Sequence, residues 1–451
     1  MKKTFLFFIL ALCSVALFAQ NEDWLWAKQA GGISEDNGNS IAVDANGNSY
    51  ITGEFRDSAT FGITTMTSSG ENDIFVAKLD INGNWLWVNQ AGGISGSYGS
   101  SIAVDDNGNS YVTGGFSGSA TFGTTTLTSS GDGDIFVAKM DSNGNWLWAK
   151  KAGGISGGYG SSIAVDANGN SYIIGSFWSI ATFGNTTLTS SGGYYTDIYV
   201  AKLDSKGNWL WANKAGGLNW DYGYSIAVDA NGNSYVTGCH LSSATFGTIT
   251  LTSSGGYDIF IAKLDSSGNW LWAKKAGGTS DDYSRSITVD DNGNSYVTGD
   301  FRSSATFGTT ILNTSGYNDI FVAKLDINGN WLWAKKAGGT SYDYGCCIAV
   351  DDNGNSYVTG VFEGSATFGT TTLTSSGNED IFVAKMDSNG NWLWAKKAGG
   401  QSNDGGRSIT VDDNGNSYVT GYFEESTTFG ITTLTSSGDY EIFVAKIRRC
   451  K

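Results

Sequence analysis

Five tyrosines occupy one register of a sequence that repeats itself. Tyr98, Tyr159, Tyr222, Tyr283 and Tyr344 each lie thirteen positions after the first Trp of a Trp-Leu-Trp tripeptide; Asn37 and Gly405 hold that place in the first and last units. Asp221, Asp282 and Asp343 immediately precede three of these tyrosines, and Asp404 fills the same slot in the last unit. An aromatic face can stack on a sugar ring, and an adjacent carboxylate can accept its hydroxyl hydrogen bonds. Trp178 and Trp220, the tryptophans outside the tripeptides, fall in segments that vary between units and extend the same set. A binding surface is one reading of this register. The other is structural, with each Asp-Tyr pair tying its loop to the neighbouring unit.

Other chemistries are poorly supplied. His240 is the single imidazole, and Arg56, Arg285, Arg302 and Arg407 are scattered among units, so no nucleophile–base set and no arginine cluster is expected. Adjacent acids such as Asp281/Asp282 and Glu424/Glu425 do not define the opposed carboxylates of a glycosidase. An acid recurs just before one strand of every unit (Asp73, Asp134, Asp197, Asp258, Asp319, Asp380 and Glu441), where it can accept backbone N–H bonds at a turn. Calcium is the alternative there. However, the recurring Asp-x-Asn-Gly-Asn puts Gly fourth, whereas an EF-hand loop needs it sixth. Neither a metal nor a cofactor is expected. Cys239, Cys346, Cys347 and Cys450 do not recur with the repeat, so buried or free thiols are expected in place of a disulfide framework.

Composition narrows the classes of partner. The 451 residues carry 43 Asp and Glu against 27 Lys and Arg, a net charge of −16, which argues against nucleic acid and anionic membrane surfaces. An average chain holds about 5% proline; this one has none, which excludes polyproline stalks. Residues 1–19 read as a secretory signal: Lys2-Lys3, an apolar run from Phe5 to Phe18, a small Ala19, then polar residues. Export to the periplasm, outer surface or medium is therefore expected, with no membrane-spanning segment left after cleavage.

The elements that must position these residues follow from the repeat. Trp-Leu-Trp begins at Trp24, Trp85, Trp146, Trp209, Trp270, Trp331 and Trp392, in steps of 61 residues with one of 63. Each unit holds four strand-like runs, typified by Ser-Ile-Ala-Val, Ser-Tyr-Val-Thr, Asp-Ile-Phe-Val-Ala-Lys and Trp-Leu-Trp-Ala-Lys, here called the first to fourth strands. Their β-branched and aromatic content and the Asn-Gly or Gly-Asn turns between them predict antiparallel hairpins. Thr-Thr-Thr-Leu-Thr-Ser predicts a fifth, short strand. The third and fourth strands are almost continuously apolar, so both faces should be covered, as in the radial sheets of a β-propeller. The chain after residue 19 opens on a fourth strand without a third and closes on a third without a fourth. Pairing the two completes a ring, whereas an open solenoid would prefer shorter coils and atypical caps. The expected fold is all-β: one seven-bladed propeller over residues 20–451, closed by its N-terminal strand and monomeric.

The pattern W-A-K-x-A-G-G, then D-Y-G-x-S-I-A-V-D-x-N-G-N-S-Y-V-T-G, then D-I-F-V-A-K-L-D closely resembles the SBBP family of bacterial exported and surface proteins, and the resemblance covers all seven units. It implies a seven-bladed propeller and little chemistry. The Asp-Tyr pair belongs to this pattern, which favours its loop-pinning role. In a propeller, the near-uniform Asp-x-Asn-Gly-Asn hairpins fall on one face and the variable loops on the other. Binding usually resides in loops on a rigid scaffold. The expectation is therefore an exported, non-enzymatic binding module for a protein or glycan. The alternatives are a carbohydrate-active or quinone-dependent enzyme on the same scaffold, or a structural envelope component.

Overall fold

The computed structural model describes residues 24–448, and every regular element among them is a β-strand. The expected signal segment and Cys450 lie outside the described residues. Among the described residues no helix is long and apolar enough to cross a membrane.

Each unit is an antiparallel meander, and the hairpins explain why. Asp44 Oδ1 accepts the amides of Asn46 (3.0 Å) and Asn48 (2.9 Å), while Asn48 Nδ2 donates to Oδ2 at 2.8 Å. Gly47 between them takes φ 76°, a left-handed conformation that suits glycine. The same bonds recur around Asp80 in the hairpin joining third and fourth strands. The uniform hairpin sequence is thus turn chemistry. In residues 97–152 the sheet order is Trp146–Ala152, Asp134–Met140, Ser110–Phe116, Ser97–Val104, so the first strand lies at one edge and the Trp-Leu-Trp strand at the other.

The core lies between sheets. Asp134–Met140 is buried at every position, as its unbroken apolar run predicts. Tyr50, Ile74 and Val76 of one unit pack with Ile102, Val112 and Phe136 of the next. Burying each such side chain stabilises by roughly 1.5–3 kcal/mol relative to exposure. The Trp-Leu-Trp tryptophans, in a strand expected to be covered on both faces, are half-buried and bridge neighbours. Trp87 meets Tyr50 of its own sheet edge-on at 6.0 Å, and its indole N–H donates to the Ser142 carbonyl of the next unit at 3.3 Å. Leu86 between Trp85 and Trp87 points out to solvent.

The expected fifth strand is instead half of a hairpin. Ser119–Phe122 pairs with Thr125–Thr128, and Phe122 anchors the turn by packing on Trp146 at 5.3 Å. Elsewhere the hairpin merges with the main strands, as in Ser49–Phe61 and Thr64–Leu79.

Two relationships join units. The first strands are linked by side chains: the Ile102, Ile163, Ile226 and Ile287 amides donate to Ser40, Ser101, Ser162 and Ser225 Oγ of the preceding unit. The Ile41 amide donates likewise to Ser408. At the ends of the chain, Trp24–Gly31 pairs antiparallel with Glu441–Ile447, setting Ala27 opposite Ala445 and Ala30 opposite Ile442. The strand that opens the described chain is therefore the fourth strand of its last sheet, as the unpaired runs in the sequence predict.

Candidate functional site

Every first strand carries a β-bulge at the same place. The pairing register slips between Gly38 and Ser40, Gly99 and Ser101, Gly160 and Ser162, and so on to Gly406 and Ser408. A bulge leaves one residue out of the ladder and re-aims its side chain. The bulged residues are Asn39, Ser100, Ser161, Tyr224, Arg285, Cys346 and Arg407, and all of them line one cavity of about 690 Å³. All seven units therefore contribute to a single space.

The tyrosine register meets this cavity in part. Tyr98, Tyr159 and Tyr344 line it, joined by Tyr224 and Tyr422. Tyr222 and Tyr283 stand beside it: Tyr222 stacks on Tyr224 at 6.1 Å, and Tyr257 packs against both Tyr222 (6.1 Å) and Tyr283 (5.6 Å). Burial pushes the phenols of Tyr98, Tyr159 and Tyr344 up to about 12, so these hydroxyls remain donors at neutral pH.

Two of the four arginines that are scattered in sequence meet in space. Arg285 and Arg407 both reach this cavity, because the bulge position repeats although its residue type does not. Arg285 Nε donates to Asp300 Oδ1 at 2.7 Å, and its guanidinium lies 5.5 Å from the Tyr344 ring. Arg407 donates through Nη1 to Asn39 and through Nη2 to Asn37, each at 3.3 Å, and sits 4.9 Å from the Tyr422 ring. Burial raises Glu54 to about 7 despite the nearby Arg407. Glu379 is also raised, by burial and then by Glu363. Cys346 is a free thiol on the same wall, pushed up to about 11 by burial.

A second cavity of about 880 Å³ adjoins the first, and Tyr98 and Tyr159 belong to both. Trp178 lines it, 5.8 Å from Tyr159, with Tyr194 at the rim. Trp220 lines neither cavity; it packs edge-on against Tyr195 at 4.7 Å.

The aspartates part from the tyrosines. Asp221, Asp282 and Asp343 are fully buried, and Oδ2 of each accepts the amide of Gly217, Gly278 or Gly339 at 2.7 Å. Alternation along a strand sends neighbouring side chains to opposite faces, so each aspartate holds its loop from beneath while the tyrosine faces out. Burial raises them to about 8, 7 and 7. The acids preceding the third strands act similarly: Asp73, Asp258 and Asp319 accept the Ser69, Ser254 and Ser315 amides. His240 is buried, held near neutral form by a value pushed down to about 4, with Nδ1 3.2 Å from the Ser242 carbonyl. Among the described residues no group of three or more His, Cys, Asp or Glu could hold a metal ion.

Sequence reasoning missed the bulge register. Its signal was available as one unconstrained position, fifteen after each leading Trp, where Asn, Ser, Ser, Tyr, Arg, Cys and Arg stand in a strand otherwise nearly constant.

Comparison with known proteins agrees with the repeat. The chain is 26% identical to an uncharacterized WD repeat-containing protein of Acanthamoeba polyphaga mimivirus over 89% of its own length and 36% of that protein. It is 27% identical to the regulatory protein FlaEY of Caulobacter vibrioides over 57% of its length and 29% of that protein. It thus spans about a third of the curated relatives it matches. A solved structure, YCF48 bound to D1 peptide, aligns over 96% of this chain and 97% of the other at 10% identity, with a TM-score of 0.42. The SBBP profile, described as a beta-propeller repeat, matches residues 25–54, 86–114, 214–238, 271–300, 332–361 and 393–422. With these six matches distributed along its repeats, the chain belongs to the SBBP β-propeller repeat family.

Proposed function

We propose that this chain is an exported, seven-bladed β-propeller whose ring is sealed by pairing of its first and last strands, and that it is a non-enzymatic binding module. The ligand, a glycan or a protein, sits at the axis on the variable-loop face. The observation that carries this reading is the shared cavity: seven bulged residues from seven units line one space, which tyrosines also line and which shares Tyr98 and Tyr159 with an adjoining cleft. Such a concave, aromatic-lined site on a rigid scaffold is the usual form of a recognition site. Sealing of the ring is supported by the antiparallel register of Trp24–Gly31 with Glu441–Ile447. It is supported independently by the Ile41–Ser408 bond, which repeats the link between successive units. A monomer satisfies this pairing without a second copy. Export rests on the sequence of residues 1–19, and the secreted protein should begin at Gln20.

The test is to screen the mature protein against immobilised glycans and candidate proteins, then analyse any bound polysaccharide for chain length. Retention of a ligand without turnover is expected. Depolymerised polysaccharide or quinone-dependent dye reduction would replace the module reading with an enzyme. Surface localisation with no retained ligand of either class would replace it with a structural envelope component.

A further inference from the structure

The two cavities adjoin, with Tyr98 and Tyr159 on the wall of each, and together they are here called the trough. Arg407 lines the first cavity and Trp178 the second, so a ligand that meets both must be an extended chain. The trough's lining favours sugar over peptide. Val361 is the one aliphatic side chain in either lining, and the cleft walls are largely glycine backbone, serine and aromatic rings. The trough's apolar surface is the faces of rings such as Trp178 and Tyr159, not aliphatic pockets for side-chain anchors. Pyranose rings present one C–H face to Tyr or Trp and a rim of hydroxyls to serine and backbone groups.

Charge then selects among sugars. Asp300 is matched by Arg285 at 2.7 Å and by Asn318 Nδ2 at 2.9 Å. Burial raises Glu54, which is held by Asn39, to about 7 and also raises Glu379 on the same wall, which reduces their negative charge at neutral pH, while Asp132 lines the second cavity. Arg407 is exposed, and its partners are the Asn37 and Asn39 amide oxygens at 3.3 Å and the Tyr422 ring, with no carboxylate among the described residues in ion-pair contact. A planar guanidinium so placed suits bidentate pairing with an incoming carboxylate.

On the reading that the variable-loop face binds a ligand, we infer that this trough takes an acidic polysaccharide. A uronate carboxylate pairs with Arg407, and the following sugar rings lie over Tyr98, Tyr159 and Trp178.

The experiment is calorimetric titration of the mature protein with hexagalacturonate and with its fully methyl-esterified form, which keeps the sugar and removes the charge. Binding of the acid is expected to exceed that of the ester by about tenfold, the scale of a charge-assisted pair. Arg407→Gln should erase the difference while leaving the affinity for the ester in place. Trp178→Ala should weaken both severalfold. Near-UV circular dichroism checks that both variants keep the native packing. Equal binding of acid and ester, or a preference that survives Arg407→Gln, overturns the inference. Binding of neutral oligosaccharides alone also overturns it but leaves the module reading standing, as does capture of peptides with no saccharide bound. Failure to bind any glycan or protein defeats both.

Discussion

The amide of Ile41 donates to the hydroxyl of Ser408 at 3.2 Å, across 367 positions of sequence. Ile287 and Ser225 make the same bond at 3.1 Å between successive units. Both serines are buried, at 7% and 9% exposure, so the junction between the last and first units can be compared directly with an internal one. Removing either hydroxyl strands a backbone N–H, which costs about 1–3 kcal/mol. Ser408→Ala and Ser225→Ala should therefore lower stability by similar amounts in urea unfolding. A cost at Ser225 with none at Ser408 would mean that the terminal junction is not equivalent to the others.

The buried loop-pinning carboxyls give a pH dependence of definite sign. Burial raises Asp36, Asp282, Asp343 and Asp404 to about 7 and Asp221 to about 8, from an ordinary 3.8. The folded protein thus holds these protons more tightly than the unfolded chain. Their contribution is fully present below 3.8 and is lost as pH rises through 7 to 8. His240, pushed down to about 4, opposes them on the acid side by losing stability as pH falls below its ordinary 6.5. The urea midpoint should be higher at pH 6.5 than at pH 8.5, two conditions at or above that ordinary value chosen to keep the histidine neutral. Asp221→Asn, which removes the group with the highest value in this set, should reduce the difference. A midpoint that climbs with pH over this interval would contradict the assignment.

Glycine positions separate backbone strain from packing. Gly144 takes φ 89°, and a Cβ there would come within 2.6 Å of Asn89 Nδ2 and 3.0 Å of the Trp87 ring. Gly193 takes φ 68° with nothing within 4 Å. Alanine at a left-handed position costs of order 1 kcal/mol from strain alone. Gly193→Ala should show about that loss in thermal unfolding, and Gly144→Ala distinctly more. Equal losses would remove the Trp87 contact from the account.

How much of this was legible in the sequence depends on what repeats. The strand set, the hairpins and the partnership of Trp24–Gly31 with Glu441–Ile447 were readable, because turn residues and apolar runs recur at fixed spacing and the two end strands each lacked a neighbour. The loop-pinning role of the Asp-Tyr aspartates was one of two open readings, and their complete burial supports it. The convergence of Arg285 and Arg407 was not readable by scanning for clusters. They stand 122 residues apart in sequence and meet only because identical bulges aim one side chain per unit into one space. The outer hairpin was seen as one short strand because its partner, Ala-Thr-Phe, is too brief to show alternation by itself.

The central claim is that the two ends of the chain are strand neighbours in one sealed ring. Ala27 and Ala445 lie directly opposite in that pairing, and both are small and buried. The most direct measurement is peptide mapping of the Ala27→Cys/Ala445→Cys variant after mild oxidation. The account expects a peptide linking these positions within one molecule, together with a raised unfolding temperature. Two free thiols, or a link that forms only between molecules, would contradict it.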